Sequence, residues 1–312
     1  MKINVEYIGD DEYEEYEELD YDDDAISIPV RIIKPKDSSL EKPIKKKRKK
    51  AFHRVFAIIL ICLSLALLAT STIFIVNWYI DNHRIDELKD EFSEVDEVSG
   101  GEPINPPEDT TSDYWDFIKI PLINVDFNEL LNRNSDTVSW INIKSTNINY
   151  PVVQTSDNDY YLTHAFDKSY NQAGWVFADY RNNMNVFDTN TIIYGHSRYD
   201  GTMFGSLKNV LSDSWYTNRD NRVIRLSTPY ANTMWQVFSV YRIEPETYYL
   251  STSFANNNSH QFFLDTITSR SHFNFNASPN INDKIITIST CANNLQNDRI
   301  VLHAKLIKAQ NR

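Results

Sequence analysis

Lys284-Ile285-Ile286-Thr287-Ile288-Ser289-Thr290-Cys291 is the stretch from which the rest of the chain is most easily read. It is apolar and β-branched, which suits a pleated strand, and Ala292-Asn293-Asn294 breaks the pattern directly after Cys291. Eight residues beyond Cys291, Arg299 opens a second apolar run, Ile300–Ile307, a spacing that lets the two strands lie antiparallel with Cys291 and Arg299 at one end. Working outward, similar short runs recur at Trp140–Ile143, Ile148–Val153, Gly174–Phe177, Thr191–Tyr194, Val223–Ser227 and Met234–Arg242. The Cys291 run completes the list as Lys284–Thr290. Strands of this number and spacing predict an antiparallel sheet closed on itself, because closure removes exposed edges. Helical patterns are few: Asp126–Asn132, Phe204–Val210, and Ser259–Ser271 with Ser259 as N-cap and Phe262, Phe263 and Ile267 on one face. The expected fold is therefore mostly β, a barrel with a few peripheral helices, in one domain of about two hundred residues, enough chain for a substantial core.

The 312 residues carry a net charge of −12, distributed in blocks. Residues 1–41 sum to −10, residues 42–54 to +8, residues 55–113 to −10, and residues 114–312 to zero. The part able to fold is electrically balanced, which argues against a nucleic-acid-binding face. Two cysteines exclude a disulfide-stapled scaffold. Val55–Val76 is free of charge and, at about 1.5 Å per residue, long enough to cross a bilayer as one helix. The run is longer than a secretory signal's apolar core and continues into Asn77-Trp78-Tyr79 without a small-residue cleavage site, so an uncleaved anchor is expected. The basic residues before it place the N-terminus in the cytoplasm and the rest outside the cell membrane. Four regions follow. Residues 1–54 form an acidic tail with a basic flank, disordered over Asp10–Asp24 and offering Tyr13, Tyr16 and Tyr21 for docking. Residues 55–76 form the anchor. Residues 77–113 form a stalk in which a charged helix, Asp86–Val98, is ended by Gly100, Gly101, Pro103, Pro106 and Pro107. Residues 114–312 form the working domain.

Cys62 lies within the span and reads as a small apolar residue there, so Cys291 is the one thiol outside it. A free cysteine is commonly buried and inert; at a strand end in an exported domain it is also a candidate nucleophile. Such a thiol needs an imidazole or a cation nearby to reach the thiolate. His196, in Tyr194-Gly195-His196-Ser197 after the run Thr191–Tyr194, is the best-spaced histidine; His303, mid-strand, reads as packed in the core. Arg299 is either an ordinary strand-end arginine or a fixed cation stabilising an anionic tetrahedral intermediate.

Taken in order, these motifs resemble class B sortases. The likeness runs from Trp140 to Leu306 and includes Ile148-Asn149-Tyr150-Pro151-Val152-Val153-Gln154, Asp157-Asn158-Asp159-Tyr160-Tyr161-Leu162, Thr191-Ile192-Ile193-Tyr194-Gly195-His196, Asp200-Gly201-Thr202-Met203-Phe204, Thr287-Ile288-Ser289-Thr290-Cys291 and Arg299-Ile300-Val301-Leu302-His303-Ala304-Lys305-Leu306. The resemblance implies a closed eight-stranded sortase-type barrel, with a helix between the two strands that precede the cysteine strand, matched to Ser259–Ser271. It implies Cys291 as nucleophile, His196 as acid and base, and Arg299 as substrate and oxyanion clamp. Asn158 and Leu162 match signal-pocket positions, Tyr194 and Ser289 sit beside the catalytic pair, and Tyr249 and Leu250 belong to a loop over the pocket. The implied activity is cleavage of an Asn-Pro-X-Thr-like sorting signal on surface proteins and transfer, through a cysteine thioester, to a peptidoglycan amine. The alternatives are hydrolysis by a Cys–His peptidase, pilin polymerisation, and a non-catalytic tethered binding domain. Ala292 stands where some relatives carry an acidic or hydroxyl side chain. No cofactor is required, and the Asp/Asn-rich stretches 155–159 and 179–190 lack the Gly and terminal Glu of a calcium loop, so no metal is expected.

Overall fold

A computed structural model describes residues 44–91, 95–107, 113–291 and 298–312, with the side chains of residues 44–51, 89–91 and 291 not included. The acidic tail and Ala292 lie outside the described residues. The chain divides into two compact units, Met1–Ser71 and Thr72–Arg312. In the first, the described residues belong to α1 (Ile44–Glu91), whose segment from Phe52 is long and apolar enough to cross a membrane.

Among its described residues, unit two is built on eleven strands. They are β1 (Asp96–Val98), β2 (Glu102–Pro103), β3 (Leu122–Asn124), β4 (Thr137–Ile143), β5 (Asn149–Val153), β6 (Phe177–Ala178), β7 (Asn190–His196), β8 (Val223–Ser227), β9 (Ala231–Ile243), β10 (Ile285–Cys291) and β11 (Arg299–Asn311). Eight of them close a barrel in the order β10-β7-β6-β5-β4-β8-β9-β11, with β11 returning to β10. The short β2 joins β11 beyond the end of β10, and β1 pairs with β3 in a separate ribbon. All eight expected strands are present. Closure is helped by irregularities in the pairing of the long strands β9 and β11, near His303/Ala304 and Leu306/Lys308, since such bulges bend and twist a strand.

Several expectations are corrected. The barrel is not wholly antiparallel: β10 runs parallel to β7, and β5 parallel to β6. The Gly174–Phe177 strand shrinks to β6, because Gly174 sits at φ +60°, outside the strand region. Phe204–Val210 is a 3₁₀ segment, Gly205–Leu211. Ser259 is not the N-cap of its helix. Asn256 caps it, accepting from the Ser259 amide at 2.9 Å while the Ser259 hydroxyl reaches back to the Asn256 amide, a reciprocal capping box. That helix, Asn257–Ser269, leads directly into the cysteine strand rather than lying one strand earlier. The remaining helices are α2 (Tyr114–Phe117), α3 (Phe127–Arg133) and α4 (Asp213–Thr217), so Asn257–Ser269 is α5. The region expected as a stalk supplies β1, β2 and the last turns of α1, where Ile85 and Leu88 are buried in the main core; these apolar positions find partners on the barrel.

Alternation along β10 separates two environments. Ile286 and Ile288 join the main core with Leu302, Val240 and Trp235, whereas Ile285 joins a second layer made by Val301, Tyr241, Tyr249 and the α5 residues Phe263, Leu264 and Ile267. Thr287, Ser289 and position 291 share the phase of Ile285. Ile285 therefore lies on the strand face that α5 and the turn around Tyr249 cover.

Candidate active site

Parallel pairing sets the centre of the site. β7 and β10 are in register from Asn190↔Ile285 to His196↔Cys291, so both strands end level with each other. On the other side β10 pairs antiparallel with β11, Ser289 facing Val301, and continuing that register brings Arg299 level with Cys291. A strand on each side of the cysteine strand thus contributes one cationic or ionisable side chain at the same barrel rim. The side chain of Cys291 is not described.

The His196 ring is placed by two local features. Its Nε2 lies 2.7 Å from the Leu162 carbonyl oxygen. A carbonyl only accepts, so Nε2 carries the proton and Nδ1 is left as the basic nitrogen. Behind the ring, a Cβ at Gly174 would stand 2.9 Å from His196 Cδ2 and 2.5 Å from the Tyr161 oxygen, so glycine is what allows the chain to pass. Burial holds the His196 pKa below its usual value and the nearby Arg198 adds to this, against the opposing pull of the Leu162 hydrogen bond. At neutral pH the imidazole is uncharged.

Arg299 reaches the hydroxyl of fully buried Tyr249 with Nη1 at 3.5 Å. Its Nε is buried and has no hydrogen-bond partner among the described residues. Because the guanidinium only donates, the Tyr249 oxygen accepts there and its proton points to Ser289 Oγ, 3.2 Å away, while Ser289 donates to the Thr290 carbonyl at 3.3 Å.

A third group forms around a residue that sequence reasoning passed over. Asp179 is wholly buried. It accepts from Arg181 Nε at 2.8 Å and Nη2 at 2.7 Å, from the Tyr194 hydroxyl at 2.9 Å and from Asn158 Nδ2 at 3.1 Å. Arg181 also donates to the Leu250 carbonyl at 3.0 Å. Burial by itself would raise the Asp179 carboxyl, but the hydrogen bonds from Arg181 and Tyr194 outweigh it and hold the group ionised below the usual carboxylate range. The Tyr194 phenol is pushed up, first by burial and then by that carboxylate.

The nine expected site residues therefore fall into three sets. Leu162 meets His196 beside Cys291, Tyr249 meets both Arg299 and Ser289, and Asn158, Tyr194 and Leu250 are joined through Asp179 and Arg181. Asp179, Arg181 and Gly174 were missed. The signal available for the first two was an acid and a base two apart in Phe177-Ala178-Asp179-Tyr180-Arg181, indistinguishable in sequence from a solvated turn. A surface cavity of about 790 Å³, bounded by Phe238, Thr268 and residues 271–278, includes none of the nine. Among the described residues no cluster of His, Cys, Asp and Glu is suited to a metal ion.

A closed barrel with cysteine, histidine and arginine on three adjacent strand ends has the layout of a thiol-dependent acyl-transfer enzyme. The sortase domain matches residues 141–307, more than half of the chain. The chain belongs to the sortase family and is a cysteine transpeptidase of the sortase B type. It is 36% identical to sortase B of Staphylococcus aureus over 184 residues, covering 58% of this chain and 75% of that protein. Sortase B of Listeria monocytogenes is 35% identical over 185 residues, 57% of this chain and 73% of the relative. Among solved structures, a Bacillus anthracis protein described as similar to sortase B aligns with a TM-score of 0.59 at 32% identity, covering 75% of this chain and 98% of that one. A Staphylococcus aureus sortase B–substrate complex aligns at 0.55 and 36% identity, covering 58% and 84%.

Proposed function

We propose that this enzyme cleaves an Asn-Pro-X-Thr-like sorting signal on surface proteins and joins the threonyl carbonyl to a cell-wall amine. The in-register ending of β7 and β10 at His196 and Cys291 carries this reading. His196 Nδ1 takes the thiol proton, and the sulfur attacks the threonyl carbonyl carbon. Arg299 stabilises the oxyanion of the tetrahedral intermediate. The C–N bond breaks as His196 returns the proton to the departing amine, leaving a thioester on Cys291. An acceptor amine then attacks, gives a proton to His196, and displaces the thiolate. The acyl bond energy is kept throughout, so neither nucleotide nor metal enters the balance. Asn158, Leu162, Tyr194, Ser289, Tyr249 and Leu250 form the walls that bind the signal. A solved structure of a sortase B complexed with triglycine, a peptide with a free amine, supports an amine acceptor.

Residues 55–76 are read as a single-pass anchor with the N-terminus cytoplasmic and the barrel outside, supported by the exposed apolar helix surface from Phe52 onward and the basic residues before it.

The test is mass spectrometry of the full-length enzyme after incubation with an Asn-Pro-X-Thr peptide. An acyl adduct on Cys291, released by hydroxylamine and absent in Cys291→Ala, is expected, with product that depends on added amine. Unchanged turnover in Cys291→Ala overturns the assignment, and amine-independent release of free acid shifts it to hydrolysis.

A further inference from the structure

The one polar side chain of β11 that sequence reading consigned to the core, His303, belongs to a closed hydrogen-bond circuit. His303 is fully buried, with Nδ1 2.9 Å from Thr287 Oγ1 and Nε2 2.8 Å from the Tyr241 hydroxyl. Thr287 lies 2.6 Å from Asn190 Oδ1, and the Tyr248 hydroxyl lies 2.8 Å from that of Tyr241. Asn190 Nδ2 reaches the carbonyls of Tyr249 at 3.2 Å and Ser251 at 2.9 Å.

Every proton in the circuit can be assigned. The two carbonyls only accept, so the Asn190 amide donates to both and its oxygen faces Thr287. Thr287 then donates to Asn190 and accepts from His303 Nδ1–H. That leaves Nε2 as an acceptor for the Tyr241 hydroxyl, whose oxygen accepts from Tyr248. Burial pushes the His303 pKa down to about 3, so the neutral tautomer this pattern needs is the one present. The circuit starts at Tyr248 and ends at Tyr249 and Ser251. It passes through β9, β11, β10 and β7 and returns to the single turn Tyr248–Leu250. That turn presents the Tyr249 hydroxyl to Arg299 and Ser289, and it receives Arg181 at the Leu250 carbonyl.

We infer that Asn190, Thr287, His303, Tyr241 and Tyr248 are positioning residues, which lock the 248–251 turn over the barrel rim so that Tyr249 holds Arg299 in place for the incoming acyl donor. None of them touches the reacting atoms. A buried chain with every donor and acceptor used favours one arrangement, because opening any link leaves a polar group unpaired in the core. The inference rests on the proposed transpeptidation only for its kinetic arm.

The experiment uses the full-length enzyme and two variants. Tyr248→Phe removes the first donor from a half-buried position, and Asn190→Ala removes both amide donors without introducing a charge. In each, amide hydrogen exchange over residues 247–251 is expected to accelerate, and KM for an Asn-Pro-X-Thr peptide to rise roughly three- to tenfold, about the worth of one net hydrogen bond. Alkylation of Cys291 by iodoacetamide is expected to stay within about twofold of the parent, and far-ultraviolet circular dichroism reports retained folding. Exchange at 247–251 equal to the parent in both variants overturns the circuit as a lock. A loosened turn with unchanged KM overturns its role in acyl-donor binding. If the parent enzyme itself does not turn over the peptide, the proposed function fails, and the exchange data alone decide the lock.

Discussion

At the scale of single residues, the site depends on small groups whose geometry has no substitute. Gly174 has φ +60°, and a Cβ there would lie 2.8 Å from the Leu162 oxygen, the same oxygen that fixes the His196 ring. Gly174→Ala must displace two backbone carbonyls as well as adopt a left-handed conformation that costs about 1–2 kcal/mol. The expected outcome is a lower melting temperature and peptide acylation slower by roughly tenfold or more, since small misplacements of a catalytic group are costly; wild-type kinetics in this variant would mean that the Leu162–His196 contact is dispensable. The strand-end placement of Cys291, His196 and Arg299 was legible in the sequence because each stands at the edge of an apolar run. Asp179 was not. Its significance comes from complete burial among Asn158, Arg181 and Tyr194, and burial is a property of what packs over a residue rather than of its neighbours in sequence.

At the scale of elements, β7 and β10 do the aligning and α5 does the covering. α5 supplies Phe263, Leu264 and Ile267 to the layer beside β10 and β11, together with Tyr249 and Val301. Its start depends on the Asn256–Ser259 capping box. Asn256→Ala is expected to cost about 0.5–2 kcal/mol and to lower the melting temperature by about 2–4 °C per kcal/mol, read by thermal denaturation. No change would mean that α5 is held by packing alone. The strands were legible element by element because β-branched alternation is a local signal. Their directions were not. Parallel pairing of β10 with β7 joins segments about ninety-five residues apart, with α5 and the 3₁₀ segments between, and nothing within either run specifies it.

For the whole molecule, buried histidines tie stability to pH. His303 is uncharged in the native state down to about pH 3, but its unperturbed value in the unfolded chain is 6.5. Between those limits the unfolded chain binds a proton that the native chain refuses, so this contribution is complete above about pH 6.5 and is lost progressively as the pH falls. His196 and His260 are shifted downward by burial too and act in the same direction. The lowered carboxyls of Asp157, Asp167, Asp179 and Asp200 withdraw stability only below their ordinary value of 3.8. Acid destabilisation is therefore expected to begin with the histidines. Thermal melts between pH 7.5 and 4.5 should show His303→Gln with a shallower slope than the parent, by about 1.4 kcal/mol per pH unit for one proton. Parallel slopes would show that His303 is not the proton acceptor.

The amino-acid sequence on its own determined the apolar span at Val55–Val76, the eight barrel strands and the three residues at their ends, because composition and short-range periodicity record which face of each segment avoids water. Tertiary structure alone decided that β7 and β10 run parallel, that Asp179 joins Asn158, Arg181 and Tyr194, that residues 96–103 join the sheets, and that His303 closes a circuit through four strands. Register and burial arise from free energy shared among segments far apart in the chain, and they take a value only when all of those segments have come together.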